Sequence, residues 1–374
     1  MTALPQSVPV RKREPITDTI LLMSITIGIF LVMYAVAMLT LGGGFLKPQQ
    51  IFDMLNDNAF LIIISCGLTV VMITGSIDIS VGGVTALVAM VGVMILNGSM
   101  WPDAAMSDGM RIFVAALMAL GIGLAFGAIQ GALIAYLEIQ PFIITLAGMF
   151  FARGMITIIS VQPQKATGSI MEALQQRLEI PWLGSPNKKG VMIPAKMEIG
   201  VIIALAVVAV IFVLLRWMKT GRGFYAVGGN RQSALMLGIN VRKTRFLAHL
   251  ISGTLAGIAG FVFMMHTGAG NATNATASEM NAIASSIIGG TLLTGGVGNV
   301  IGTLFGVLTL TTIKAIVVTS GLREPWWQSI TTGGMLCFFI LLQSVVLSGR
   351  GKKLRLPAWL RPAGKAGPDA PEKA

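Results

Sequence analysis

ITGSIDISVGGV, residues 73–84, sets one carboxylate, Asp78, between two apolar runs that each approach the length of a membrane crossing. About 20 apolar residues span a hydrocarbon core as a helix, and the runs on either side cover 52–73 and 79–97. Working outward, further runs lie at 17–39, 112–136, 141–160, 198–218, 245–266 and 327–347, and 281–319 holds nearly two more, interrupted by glycines. The 374 residues are 54% hydrophobic and 11% charged, with mean hydropathy +0.80. No soluble domain of this length hides so much apolar surface. The expected fold class is therefore an all-α polytopic membrane protein with about ten transmembrane helices.

A formal net charge of +12 would suit nucleic acid in a soluble chain, but in a chain this apolar cations mark cytoplasmic loops. No nucleic-acid partner is expected. Arg11, Lys12 and Arg13 precede the first run, which lacks a cleavage motif and reads as an uncleaved helix. With that end inside, the loop holding Arg216, Lys219, Arg222, Arg231, Arg242, Lys243 and Arg245, and the tail holding Arg350, Lys352, Lys353, Arg355 and Arg361, also fall inside. Asp103, Asp108 and the sequons at Asn271 and Asn274 fall outside. The implied divisions are a cytoplasmic segment 1–16, a transmembrane domain 17–348 with an outer loop 161–197 and an inner loop 219–245, and a disordered cytoplasmic tail 349–374. The outer loop could cap the outer mouth or meet an external partner. Cys66 and Cys337 lie within spans, so no disulfide framework is expected.

The opening stretch has a counterpart. Gly75, Ser80 and Gly82 share their spacing with Gly289, Thr294 and Gly296, and Gly-interrupted segments in two halves of a transporter point to a translocation site. Small residues at this spacing also serve plain helix packing in lipid. Asp78 has three readings: an acceptor that caps the next helix, a contact for substrate hydroxyls, or an ion-coupling acid. The counterpart carries no acid, which weakens the third.

The inner loop KTGRGFYAVGGNRQSALMLGINVRKTRF, residues 219–246, is the most distinctive segment. Gly221, Gly223, Gly228 and Gly229 suggest a flexible entry, followed by a short helix with Asn230 as N-cap and Gly238 just past its end. Ala234, Leu235, Leu237 and Ile239 would give it an apolar docking surface; the alternative is an amphipathic helix lying on anionic membrane lipid.

GSIDISVGG, PFIITLAGMFFARG, GRGFYAVGGNRQSALMLGINV and SSIIGGTLLTGGVGNVIGTLFG, taken in order, resemble the permease subunits of bacterial ATP-binding cassette (ABC) importers for ribose, xylose, arabinose, galactose and galactofuranose. Similarity covers about 50–347, and LNDNAFLIII and GGTLLTGGVG are most like the galactofuranose type. The resemblance implies a fold like the vitamin B12 type of permease (type II), set in the bacterial inner membrane. It implies a second permease copy or related permease, an external sugar-binding protein, and separate ATPase subunits that use ATP and Mg, this subunit binding no cofactor itself. It also makes Gly223, Gly228, Gly229, Asn230, Ala234, Leu235, Gly238 and Ile239 the loop that couples to the ATPase. A monosaccharide would pass along Ser76, Asp78, Ser80, Thr291, Thr294 and Asn299.

Two other classes compete. An ion-coupled secondary transporter needs ionisable groups within its spans; apart from Asp78, and Asp53, Asp57 and Glu138 near span ends, few are apparent. An intramembrane enzyme needs a metal or nucleophile cluster, and His249 and His266 lie 17 positions apart at opposite ends of one run. Neither catalytic residues nor a metal site are expected. The phosphate-binding pattern G-x-x-x-x-G-K-[ST] is absent from the sequence.

Overall fold

A computed structural model describes residues 15–42, 44–100, 106–166, 168–186 and 192–349. Arg11–Arg13, Asp103 and the cationic tail from 350 onward lie outside the described residues. The elements are α1 (Pro15–Leu41), α2 (Gln49–Ile73), α3 (Val81–Leu96), α4 (Asp108–Tyr136), α5 (Pro141–Ile159), β1 (Gln164–Lys165), α6 (Ser169–Leu174), β2 (Arg177–Pro186), β3 (Met192–Glu198), α7 (Ile199–Trp217), α8 (Lys219–Gly229), α9 (Arg231–Met236), α10 (Val241–Thr267), β4 (Ala269–Gly270), α11 (Ser278–Ile288), α12 (Val300–Thr319) and α13 (Pro325–Gly349). Eight of the helices, α1, α2, α4, α5, α7, α10, α12 and α13, are long and apolar enough to cross a membrane.

The opening stretch is a true break between α2 and α3. At 1.5 Å per residue, α3 rises about 24 Å and α11 about 16 Å, against a hydrocarbon core of about 30 Å. The glycine-rich segment expected to hold two crossings therefore contains one short helix, α11, continued by non-helical backbone at 289–299, and one full helix, α12. Both short helices adjoin a glycine-rich break.

The centre is built on α10, packed against α4, α2 and α3. Glycines make that approach possible: a methyl at Gly253 would strike the backbone of Gly123 and Gly127, and one at Gly257 the backbone of Ala119 and Gly123. Small residues let helix backbones close in where lipid offers no hydrophobic drive. α2 and α3 are buried along most of their length, as expected of helices apolar all round. By contrast α1 and α13 expose Leu31, Val32, Leu39, Phe338 and Leu341.

The spans are all-α as expected, but the segment 161–197 is not a plain loop. It holds α6 and an antiparallel hairpin of β2 and β3, irregular between Ile180 and Gly184. Pro181 and Pro194 are tolerated because both strands of a two-stranded ribbon have a free edge. Arg177 pairs with Glu198 at 2.9 Å and Lys196 with Glu179 at 3.0 Å across it. The hairpin docks on α2, where Asn56 Oδ1 accepts the Glu198 N–H at 2.9 Å. At the opposite end lie α8, α9 and the α4–α5 link, whose Glu138 pairs with Arg231 at 3.1 Å.

Candidate functional site

The first break opens where α2 stops at Ile73: Gly75 takes φ +75°, a left-handed conformation that favours glycine. Asp78 is buried, and in each of its hydrogen bonds among the described residues it is the acceptor. Its Oδ1 accepts the Ser80 N–H at 3.0 Å and the Ser80 hydroxyl at 2.7 Å, and its Oδ2 accepts the Ser252 hydroxyl of α10 at 2.7 Å. Ser80 Oγ also lies 3.0 Å from the Gln130 carboxamide of α4. Thus Asp78 closes the turn and ties α3 to α10, the structural reading of the acid; Ser80, not Asp78, is the residue at the N-cap.

The second break does not follow the sequence spacing. Gly289 caps α11 in right-handed geometry, and the left-handed residue that directly follows the cap, as Gly75 follows Thr74, is Gly290, φ +93°; Gly295 and Gly296 are left-handed further along. The N-cap of α12 is Asn299, whose Oδ1 accepts the Ile301 N–H at 2.9 Å. The structural counterparts are therefore Gly75 with Gly290 and Ser80 with Asn299. Thr294, paired with Ser80 by spacing, is exposed in mid-loop, beside a turn in which Gly295 N–H donates to Leu292 O at 3.1 Å. Its loop is longer because backbone, not a side chain, closes it.

The two breaks touch. Gly296 N–H donates to Ile73 O at 2.9 Å, and Gly75 faces the Thr294 carbonyl. Gly228 of α8 lies in the same junction: a methyl there would collide with the Ile73 carbonyl and the Gly296 amide. Beside it the Tyr225 hydroxyl donates to Gly298 O at 2.8 Å. Burial pushes that phenol up to about 12, against a smaller opposing effect of Arg216, so it stays a donor. Here the flexible entry expected from the inner-loop glycines is corrected: Gly221, Gly223, Gly228 and Gly229 belong to helix α8. Glycine serves close approach there, with Gly221 against the Leu214 and Leu215 backbone.

α9 follows with the caps expected of it. Asn230 Oδ1 accepts the Ser233 N–H at 2.8 Å, and Gly238, at φ +77°, ends the helix with its N–H on Leu235 O at 3.0 Å. The apolar knob differs in composition. Ala234 is buried against Val227 and Val241, with Ile239 packed beside them, whereas Leu235, Met236 and Leu237 are 54%, 81% and 78% exposed. Met236 was overlooked because helical spacing alone does not tell which face the end of a six-residue helix presents.

Of the other residues expected on a pathway, Ser76 and Thr291 are buried and their hydroxyls have no hydrogen-bond partner among the described residues. Asn299 lines a cleft of about 330 Å³ between α1, α7 and α8, with Arg216, Arg222 and Tyr225. The first break joins Asp78 and Ser80 by hydrogen bonds, with Ser76 buried in the same turn, and the second leaves Thr294 exposed. The two histidines do not share a site: His266 Nδ1 lies 2.7 Å from Glu198 Oε2 at the hairpin end, while His249 is buried and its ring nitrogens have no hydrogen-bond partner among the described residues.

Three ionisable residues within the bundle escaped the sequence reading: Arg153, Glu279 and Lys314. Glu279 follows residues 268–277, as does Asn281, to which Lys314 donates at 3.0 Å, and Arg153 bonds directly to that segment, expected to be an outer loop. Instead it runs inward along α3, with Gly270 against Met90 and Ala275 against Gly82, a descent of about 12 Å by helix rise. Arg153 supports it by donating to the carbonyls of Ala272 at 2.7 Å, Asn274 at 2.6 Å and Ala275 at 3.2 Å. The sequon asparagines serve the loop itself: Asn271 Oδ1 accepts the Thr273 N–H at 2.8 Å, and Asn274 Nδ2 donates to Ala269 O at 2.8 Å.

Residues 50–340 match the family described as branched-chain amino acid transport system / permease component. The chain is 39% identical over 320 residues to the inner membrane ABC transporter permease protein YjfF of Escherichia coli, covering 85% of this chain and 90% of that protein. It is 34% identical over 315 residues to the fructose import permease protein FruG of Bifidobacterium longum, covering 83% and 87%. It is 33% identical over 324 residues to the autoinducer 2 import system permease protein LsrC of Shigella flexneri, covering 84% and 85%. No solved structure matches the chain.

Proposed function

This chain belongs to the family of branched-chain amino acid transport system permease components, and from that premise we propose that it is the membrane subunit of an ABC importer for a monosaccharide. The likeness to FruG along nearly its whole length supports a sugar over an amino acid. Galactofuranose is the finer expectation, and the hydroxyl-rich breaks suit any small polyol. The cationic α8–α9 end would face the cytoplasm, where such loops concentrate, placing both termini there.

The observation that carries the mechanism is the junction of Gly228 with Ile73 and Gly296. A short helix with exposed Leu235, Met236 and Leu237 would dock in a groove of a separate ATPase subunit, which supplies ATP and Mg chemistry. Movement of α9 passes to α8, and α8 rests on both helix breaks without an intervening side chain. Closure of the ATPase pair would rock the breaks against each other and open the pathway to alternate sides. Ser76, Ser80, Thr291 and Asn299 would offer hydroxyl and amide groups to the passing sugar. A second permease copy would complete the cavity, and an external binding protein, meeting the hairpin end, would supply most of the selectivity.

The test is uptake of labelled pentoses, hexoses and branched-chain amino acids into proteoliposomes holding the permease, its ATPase and its binding protein. ATP-dependent monosaccharide uptake is expected, and Leu235→Asp or Gly238→Pro should abolish sugar-stimulated ATP hydrolysis while the protein stays folded. Uptake by the permease alone, driven by an imposed ion gradient, would overturn the proposal in favour of a secondary transporter.

A further inference from the structure

Non-helical backbone is tolerated at membrane depth only where protein buries it or water lines it. The segment 268–277 faces protein on one side, through Met90, Gly82 and the Arg153 guanidinium. On its other side Thr273 and Thr276 are exposed, as is Met280 in the first turn of α11. The threonine O–H groups are bonded within the segment, Thr273 to Asn271 Oδ1 at 2.7 Å and Thr276 to Thr273 O at 2.6 Å, but together with the non-helical backbone that carries them they are poorly placed against hydrocarbon at that depth. They therefore face either a watery cavity or another protein surface.

Two observations favour the cavity. Glu279, immediately after the segment, is only 8% exposed, yet its Oε2, which lies beside Gly82 where the segment meets α3, has no hydrogen-bond partner among the described residues. A buried carboxylate oxygen left so is costly and signals a water or ligand that completes it. Lys314 Nζ donates to Asn281 Oδ1 at 3.0 Å, which leaves the Asn281 amide group free to donate in turn. The backbone is also held under strain, with Ala275 at φ +50° and Ala277 at φ +61°, and such strain clusters where a segment must present its groups in one set geometry.

We propose that residues 271–281 form a water-facing, sugar-contacting lining of the pathway, resting on the sugar-importer reading above. Thr273 and Thr276, whose O–H groups already donate to Asn271 Oδ1 at 2.7 Å and to Thr273 O at 2.6 Å, each offer acceptor lone pairs, and Asn281 offers a donor. That mixture matches a monosaccharide, whose hydroxyls each donate and accept. Arg153 is a positioning residue: three of its N–H bonds hold the segment's carbonyls and thereby set where the threonines stand.

The experiment uses the complete transporter in proteoliposomes, with Thr273→Cys and Thr276→Cys placed separately in a Cys337→Ala background. The buried Cys66 stays in all variants, and the background protein without an added cysteine is the control. A charged, water-soluble methanethiosulfonate is expected to label both added cysteines within minutes and to cut ATP-driven sugar flux about ten-fold or more. Failure of both to label, or ready disulfide formation between two copies in place of labelling, would overturn the proposal. Thr276→Val should lower flux at saturating binding protein by about ten-fold, the worth of one hydrogen bond, and Thr276→Ser should restore it. Equal flux in Thr276→Val and the parent protein would also overturn it. Labelling needs no solute, so labelled cysteines with no sugar flux in the unlabelled protein would refute the cargo and leave the watery lining standing.

Discussion

The two helix breaks that meet at the centre of this chain are held by opposite means. The first, between α2 and α3, is closed by side chains: Asp78 gathers Ser80 and, across the bundle, Ser252, and Ser80 reaches Gln130. The second, between α11 and α12, is closed by backbone, through Leu292 N–H to Val297 O at 3.1 Å and Gly296 N–H to Ile73 O. One break is thereby tied to α4 and α10, and the other leans on the end of α2 and on α8. A displacement of α8 acts most directly on the second. The difference separates a fixed wall from a moving one.

The largest effect should come from the point where the moving break meets α8. Gly228→Val places a branched side chain where even a methyl would meet the Ile73 carbonyl and the Gly296 amide. Backbone cannot retreat as a flexible side chain can, so the loss should be about 3 kcal/mol or more, with collapse of coupled ATP hydrolysis. Gly229→Ala is the matched control, since a methyl there meets nothing within 4 Å. Melting of the purified complex in detergent compares the two. Equal melting temperatures would break the claim that α8 bears on both breaks.

The fixed wall answers to Asp78. Asp78→Ala leaves the Ser80 amide, the Ser80 hydroxyl and the Ser252 hydroxyl without their acceptor in a buried site, at a cost of about 2–3 kcal/mol. Asp78→Asn keeps one acceptor oxygen and should lose less, with ATP-driven uptake retained and its pH profile unmoved. A displaced profile in Asp78→Asn would revive the ion-coupling reading and erase the contrast between the breaks. Denaturant unfolding in mixed micelles reads the first expectation, and uptake across a pH series reads the second.

How much of this was legible in the sequence follows from range. Apolar runs report burial along one helix, so the long spans and the break at 73–84 were readable, as were the caps Asn230 and Gly238, which act within four residues. The matching of Gly75, Ser80 and Gly82 to Gly289, Thr294 and Gly296 placed the second break correctly but mispaired its residues, because glycine spacing cannot distinguish a left-handed turn from a close contact. The dive of 268–277 was illegible for a stronger reason. Its polar residues read as solvent-facing, and what makes them tolerable inside the bundle is Arg153, more than a hundred positions away. The hairpin escaped because its prolines argue against strands except in a two-stranded ribbon.

The mispairing yields the smallest prediction and the cleanest decision between the two alignments. If Asn299 is the counterpart of Ser80, Asn299→Ala removes the side-chain acceptor for the Ile301 N–H and costs about 1 kcal/mol, as loss of an N-cap does. Thr294→Val, at an exposed loop position, should stay within about 0.5 kcal/mol of the parent. Were the sequence spacing the true correspondence, the order would invert, with Thr294→Val the damaging change. Unfolding of both variants under one set of micelle conditions settles the order, because a shared reference state cancels the unknown contribution of the detergent.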